Sequence, residues 1–190
     1  HAPGSRILPE LKGPSNVAAM KVMDGGNLRI EEILVRGRTS SAGPAGMHVH
    51  GGAMANIEKC SFEDLTTVVS EGQPPSAILV DADSSGVSGI LEISTTRFIR
   101  CGPIALWSAR PLHVTDSFFA LNGGSLQTSA AMSLHNASTP SGVPAFTVTD
   151  CKFESNTGDA IYLDAAELTL TSSNFSTDFD AQGTAAKLRN

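Results

Sequence analysis

Apolar and polar positions alternate strictly in six short segments: Leu28-Arg-Ile30, Ala55-Asn-Ile57, Leu91-Glu-Ile93, Leu112-His-Val114, Phe146-Thr-Val148 and Leu168-Thr-Leu170. A period of two marks a strand with one face buried and the other wet. Five positions after the second apolar residue of each segment stands Val35, Phe62, Phe98, Phe119, Phe153 or Phe175, so five of the eight phenylalanines share one register. Between them lies an inward position held by Ile33, Cys60, Thr96, Ser117, Cys151 or Ser173. A second alternating strand follows in each copy: Met47-His-Val49, Ile78-Leu-Val80, Ile104-Ala-Leu106, Met132-Ser-Leu134 and Ile161-Tyr-Leu163, with a weaker sixth at Ala186-Lys-Leu188. Copies are separated by 27, 36, 21, 34 and 22 residues.

A repeat near twenty residues with variable insertions is the product of a solenoid, in which each turn adds a layer to a shared core and the extra residues bulge outward. Strands this short, repeating this way, pair with the next turn in parallel. The expected fold is therefore all-β, a right-handed parallel β-helix of about six turns over residues 28–190, with residues 1–27 as an N-terminal extension or cap. The phenylalanines would stack as an internal ladder. Insertions are expected at 37–45, 66–76, 83–89, 123–130 and 136–144, and the only helix, a short one, within 5–24. An antiparallel sandwich is the competing architecture. It needs hairpin dipeptides between adjacent strands, and only Asn122-Gly123 qualifies well.

Composition narrows the class. At 190 residues the chain can bury a real core. Charged residues make up 17%, too few for a disordered chain. The net charge of −6, with no basic cluster, disfavours nucleic acid as a partner. No apolar run reaches the eighteen or so residues of a membrane span. Cys60, Cys101 and Cys151 form an odd set, and Cys60 lies three turns from Cys151, so small buried fillers are expected rather than a disulfide. Asn136 and Asn174 open N-glycosylation sequons, which favour an extracellular setting. The chain begins at His1 with neither Met nor a signal segment, as in a processed or excised product.

Phe119-Ala-Leu-Asn122 and Phe153-Glu-Ser-Asn156 resemble the Phe-x-x-Asn motif of polymorphic outer-membrane-protein repeats, and Gly158-Asp159-Ala160-Ile161 resembles the Gly-Gly-Ala-Ile that follows it. More broadly, residues 28–190 are similar to the pectate-lyase-like right-handed β-helix superfamily. Other turns depart at the Asn position, which holds Leu65, Cys101 and Asp178. The resemblance implies the fold. Families sharing it include polysaccharide lyases and hydrolases, tailspikes, adhesins and surface-display proteins, so it selects no single activity.

The outward positions of the second strands carry the candidate chemistry. Aligned by their apolar residues they give a row His50, Asp81, Trp107, His135 and Asp164, with His48, Leu79, Ala105, Ser133 and Tyr162 two places earlier. An aromatic surface flanked by carboxylates suits a sugar ring, whose C–H face stacks while its hydroxyls hydrogen-bond. The alternative is an ordinary wet sheet face. Glycoside hydrolysis would need two carboxylates about 5–9.5 Å apart. Asp81 and Asp83 sit at i, i+2, whereas Asp164 is three turns from Asp81. Arg97, Arg100 and Arg110 align with no carboxylate group of the kind a lyase uses. His48 and His50, at i, i+2 on one strand face, form a weak metal pair that Asp81 of the next turn would complete. An ice-binding Thr ladder is matched only in the last two turns.

These features point to an extracellular or cell-surface β-helix segment acting as scaffold and recognition module with a polysaccharide-binding face. The alternative is a carbohydrate-active enzyme, a lyase or glycoside hydrolase using Asp81, Asp83 and Asp164. No cofactor is implied. With no second cap evident in the sequence, the expected partners are further β-helix turns or a neighbouring subunit at the C-terminal end.

Overall fold

The computed structural model describes residues 10–11, 18–23, 25–41, 43–68, 74–81, 90–124, 129–135, 146–164, 166–176 and 186–189. They form a right-handed parallel β-helix of three sheets, with every strand paired in parallel to its equivalent one turn away. The six alternating segments build the first sheet, from Asn27–Glu31 through Met54–Glu58, Leu91–Ser94, Leu112–Thr115 and Phe146–Thr149 to Leu168–Thr171. The phenylalanine column is itself the centre of a sheet. Its strands are Glu10–Leu11, Leu34–Ser40, Ser61–Thr67, Arg97–Ile99, Phe118–Ala120, Lys152–Glu154 and Asn174–Ser176. The third sheet runs Met20–Val22, Met47–Val49, Ser76–Val80, Ile104–Ser108, Ala130–His135, Asp159–Asp164 and Ala186–Arg189.

The ring ladder is present. Successive centroids from Phe62 through Phe98, Phe119 and Phe153 to Phe175 are 5.3, 4.7, 5.0 and 4.8 Å apart, with planes within 9° of parallel. Val35 and Phe62 through Phe153 are buried. Beside this ladder the inward small residues bond along the helix axis: the Cys60 amide donates to Thr96 Oγ1, Thr96 to Ser117 Oγ, and Cys151 to Ser173 Oγ. The cysteines are buried and free. Burial pushes the thiols of Cys101 and Cys151 up to about 12 and about 11, so they stay protonated fillers at neutral pH.

Two of the three corners of each turn are marked by one residue in the left-handed region. Glu32, Lys59, Thr95, Asp116, Asp150 and Ser172 close the first corner. Arg100, Leu121 and Ser155 follow the phenylalanine strands at the second, and the equivalent Gly37 and Asp64 bend the longer strands Leu34–Ser40 and Ser61–Thr67. Side chains other than Gly, Asn and Asp pay about 1–2 kcal/mol there. Leu121, at φ 55° and 52% exposed, gains little packing in return. Leu121→Asn is expected to raise the unfolding midpoint by about 2–4 °C, corresponding to ~1 kcal/mol. Scanning calorimetry checks it, and a lower midpoint would mean that Leu121 packs more than its exposure implies.

Two sequence expectations change. The insertion placed at 37–45 starts later, because Leu34–Ser40 continues as a seven-residue strand paired through Arg38↔Leu65 and Ser40↔Thr67. Arg38 is kept in that buried column by its Nε, which donates to Ala45 O at 3.0 Å. The helix expected within 5–24 is not found among the described residues of that span. Glu10–Leu11 and Met20–Val22 are strands pairing with Leu34–Ser40 and Met47–Val49, so part of the expected cap is built as solenoid. The rest of residues 1–17 lies outside the described residues.

Candidate functional site on the third sheet

The outer face of the third sheet gathers the candidate residues, with one shift from the sequence alignment. Leu106 pairs with Ile78 and Met132, and Ser108 with Val80 and Leu134. Ser108, not Leu106, thus takes the inward place at that level. A hydroxyl is accommodated there because Ser108 Oγ donates to Arg110 O at 2.8 Å. Trp107 therefore moves two residues along and joins the row His48, Leu79, Trp107, Ser133 and Tyr162. The other row runs His50, Asp81, Ala109, His135 and Asp164. A polar residue in a core position hid this register from the apolar pattern.

At one end of the face, His135 lies over the indole of Trp107 with centroids 5.0 Å apart, and Tyr162 follows at 5.5 Å. Ser133 Oγ is 2.7 Å from His135 Nε2, and Asp164 Oδ2 is 3.5 Å from its Nδ1. Burial lowers the His135 pKa, partly offset by Asp164, so the imidazole is neutral at pH 7. Three rings from three successive turns thus form one continuous step, with the 41%-exposed Asp164 carboxylate at its rim.

At the other end, Asp81 Oδ2 lies 2.6 Å from His48 Nε2 and 2.7 Å from His50 Nδ1. Both strands hold these groups by the ladder: the His50 amide donates to Val22 O and the Asp81 amide to Val49 O. Burial pushes the Asp81 pKa up, but the two histidine hydrogen bonds more than offset it and leave the carboxyl below its usual value. An ionised carboxylate only accepts, so each histidine nitrogen donates to it.

The remaining candidates are dispersed. Asp83 and Asn136 lie outside the described residues. Asn174 is exposed in the strand Asn174–Ser176. Arg100 is held by Asp64 through Nε at 2.5 Å and Nη2 at 3.1 Å, while Arg110 is buried and donates to Ala53 O. Pattern reading missed a cleft of about 360 Å³ at the second corner, lined by residues including Thr66, Arg100, Pro103 and Leu121. Its lining comes from three turns and has no linear signature. No helix among the described residues is long and apolar enough to cross a membrane.

Together these features define a three-sheet parallel β-helix carrying an aromatic step and a His–Asp–His cluster on one face. Comparison with protein-family models, with curated proteins and with solved structures finds no match for the chain.

Proposed function

We propose that this chain is a scaffold and recognition module that binds polysaccharide along the outer face of its third sheet, in an extracellular or cell-surface setting. The observation that carries the reading is the stack of Trp107, His135 and Tyr162 bordered by the Asp164 carboxylate. It offers apolar ring surface and hydrogen-bonding groups within one short stretch, the pairing a sugar residue requires. The rigid spacing of successive turns suits a linear polymer, which repeats along its own axis. The likeness to pectate-lyase-like β-helices and outer-membrane-protein repeats, and the exposure of Asn174 in its sequon, favour the same setting. Leu170, inward in its column yet 41% exposed, supports stacking of a further turn or subunit on the last described turn.

The enzymatic alternative is less well supported. Asp81 is engaged by two histidines, and Asp164 stands about 14 Å away at ~4.8 Å per turn, too far for a carboxylate pair. Titration calorimetry with neutral and acidic oligosaccharides tests the proposal. Trp107→Ala is expected to weaken binding at least tenfold, about 1.4 kcal/mol, with an unchanged circular-dichroism spectrum. Equal affinity in the variant would remove the aromatic step from the reading, and release of new reducing or unsaturated ends would favour the enzyme.

A further inference from the structure

We infer that His48, His50 and Asp81 form a binding site for a borderline divalent transition-metal ion such as zinc. Their ligand atoms, His48 Nε2, His50 Nδ1 and one Asp81 carboxylate oxygen, all lie within 4.8 Å of one another. Two imidazoles and one carboxylate are the donor set of three-ligand zinc sites, which leave a fourth position open.

The arrangement is built by the fold rather than by flexible loops. His48 and His50 stand two residues apart at the end of Met47–Val49, so both rings project to the outer face, with centroids 5.5 Å apart and planes at 72°. Asp81 follows Ser76–Val80 on the next turn, and the pairing Val49↔Val80 brings it beside His50. The site is graded in access: the His48 side chain is 9% exposed, Asp81 24% and His50 42%. One side is therefore closed and the other open to an incoming ion.

Two N–H groups converge on a single oxygen, at 2.6 and 2.7 Å. A tetrahedral ion about 2.0–2.2 Å from each ligand would separate its ligand atoms by about 3.4 Å. The carboxylate has to recede from each nitrogen by less than about 1 Å, and the two histidine nitrogens, no more than 4.8 Å apart, have to settle to the same spacing. Each histidine nitrogen that faces Asp81 presents its lone pair to the ion, and two hydrogen bonds give way to three coordinate bonds. The site does not depend on the glycan reading, since Trp107 contributes nothing to it.

Chelator-treated protein titrated with Zn2+ against a chromophoric chelator is expected to bind one equivalent, and Co2+ in its place to give the intense visible absorption of a low-coordinate site. Asp81→Asn and His50→Gln are each expected to weaken Zn2+ at least about 100-fold, whereas His113→Ala and Trp107→Ala leave it within about twofold. His50 is partly exposed, so His50→Gln remains informative if a change at buried His48 or at Asp81 prevents folding. Stoichiometric binding that survives both substitutions, or no binding of one equivalent by the parent protein, would overturn the inference.

Discussion

Phe119→Ala is expected to cost about 3–5 kcal/mol of unfolding free energy, the loss of a fully buried phenylalanine. Phe119 is fully buried and sandwiched by Phe98 at 4.7 Å and Phe153 at 5.0 Å, both nearly parallel to it. Truncation removes two stacking contacts and opens a cavity that strands on either side cannot collapse, because their spacing is set by backbone hydrogen bonds rather than by side chains. At about 2–4 °C per kcal/mol for a chain of this size, the unfolding midpoint should fall by roughly 6–20 °C. Phe175→Ala provides the internal comparison. Phe175 is half-buried and, among the described residues, stacks on Phe153 alone, so its loss should be clearly smaller. Denaturant unfolding of both variants measures the difference, and equal losses would show that position in the ladder carries no energetic weight. Turns in a solenoid interact with their nearest neighbours, so a central defect should also uncouple the two ends, visible as a broadened transition.

The ladder was legible because its spacing survives every insertion: Ile57 to Phe62 and Val148 to Phe153 are the same five residues, whatever loop follows. That constancy has a physical origin. The first corner spends one left-handed residue and one small inward residue, and neither can be added or lost without turning the phenylalanine out of the core. The strand around each phenylalanine was not legible as a strand, since three residues such as Arg97–Ile99 show almost no alternation. Ser108 broke the apolar code of the third sheet and displaced Trp107 by two positions, which altered the predicted aromatic row. His48, His50 and Asp81 were individually visible. Their convergence on one oxygen was not, because it depends on a side-chain direction across two turns separated by thirty-odd residues of text. The cleft beside Arg100 and Leu121 belongs to the same class of feature, assembled from corners of different turns.

Asn122→Ala should approach the loss of a ring, at about 2–3 kcal/mol, although it deletes no apolar surface. Asn122 is fully buried in the column that continues from Leu65 and Cys101 to Asn156. Its Oδ1 accepts from the Cys101 amide at 2.9 Å, and its Nδ2 donates to Phe98 O at 2.9 Å and to Asn156 Oδ1 at 3.0 Å. Asn156 repeats the pattern one turn on, accepting from the Asn122 amide at 3.0 Å and donating to Phe119 O at 3.0 Å. Alanine would strand a buried amide at Cys101, costing about 1–3 kcal/mol, and would remove the side-chain bond that Phe98 O accepts in addition to its ladder bond. Asn122→Asp is the sharper comparison, because it retains the acceptor for Cys101 but places a carboxylate oxygen against Phe98 O and Asn156 Oδ1. It should unfold at least as readily as Asn122→Ala at pH 7 and recover in part at lower pH, where a protonated carboxyl can donate once. Denaturant melts of the two variants across pH would read this directly. Full stability of Asn122→Asp at neutral pH would mean that the donor half of the amide is dispensable, and that the phenylalanine stack alone keeps the turns in register.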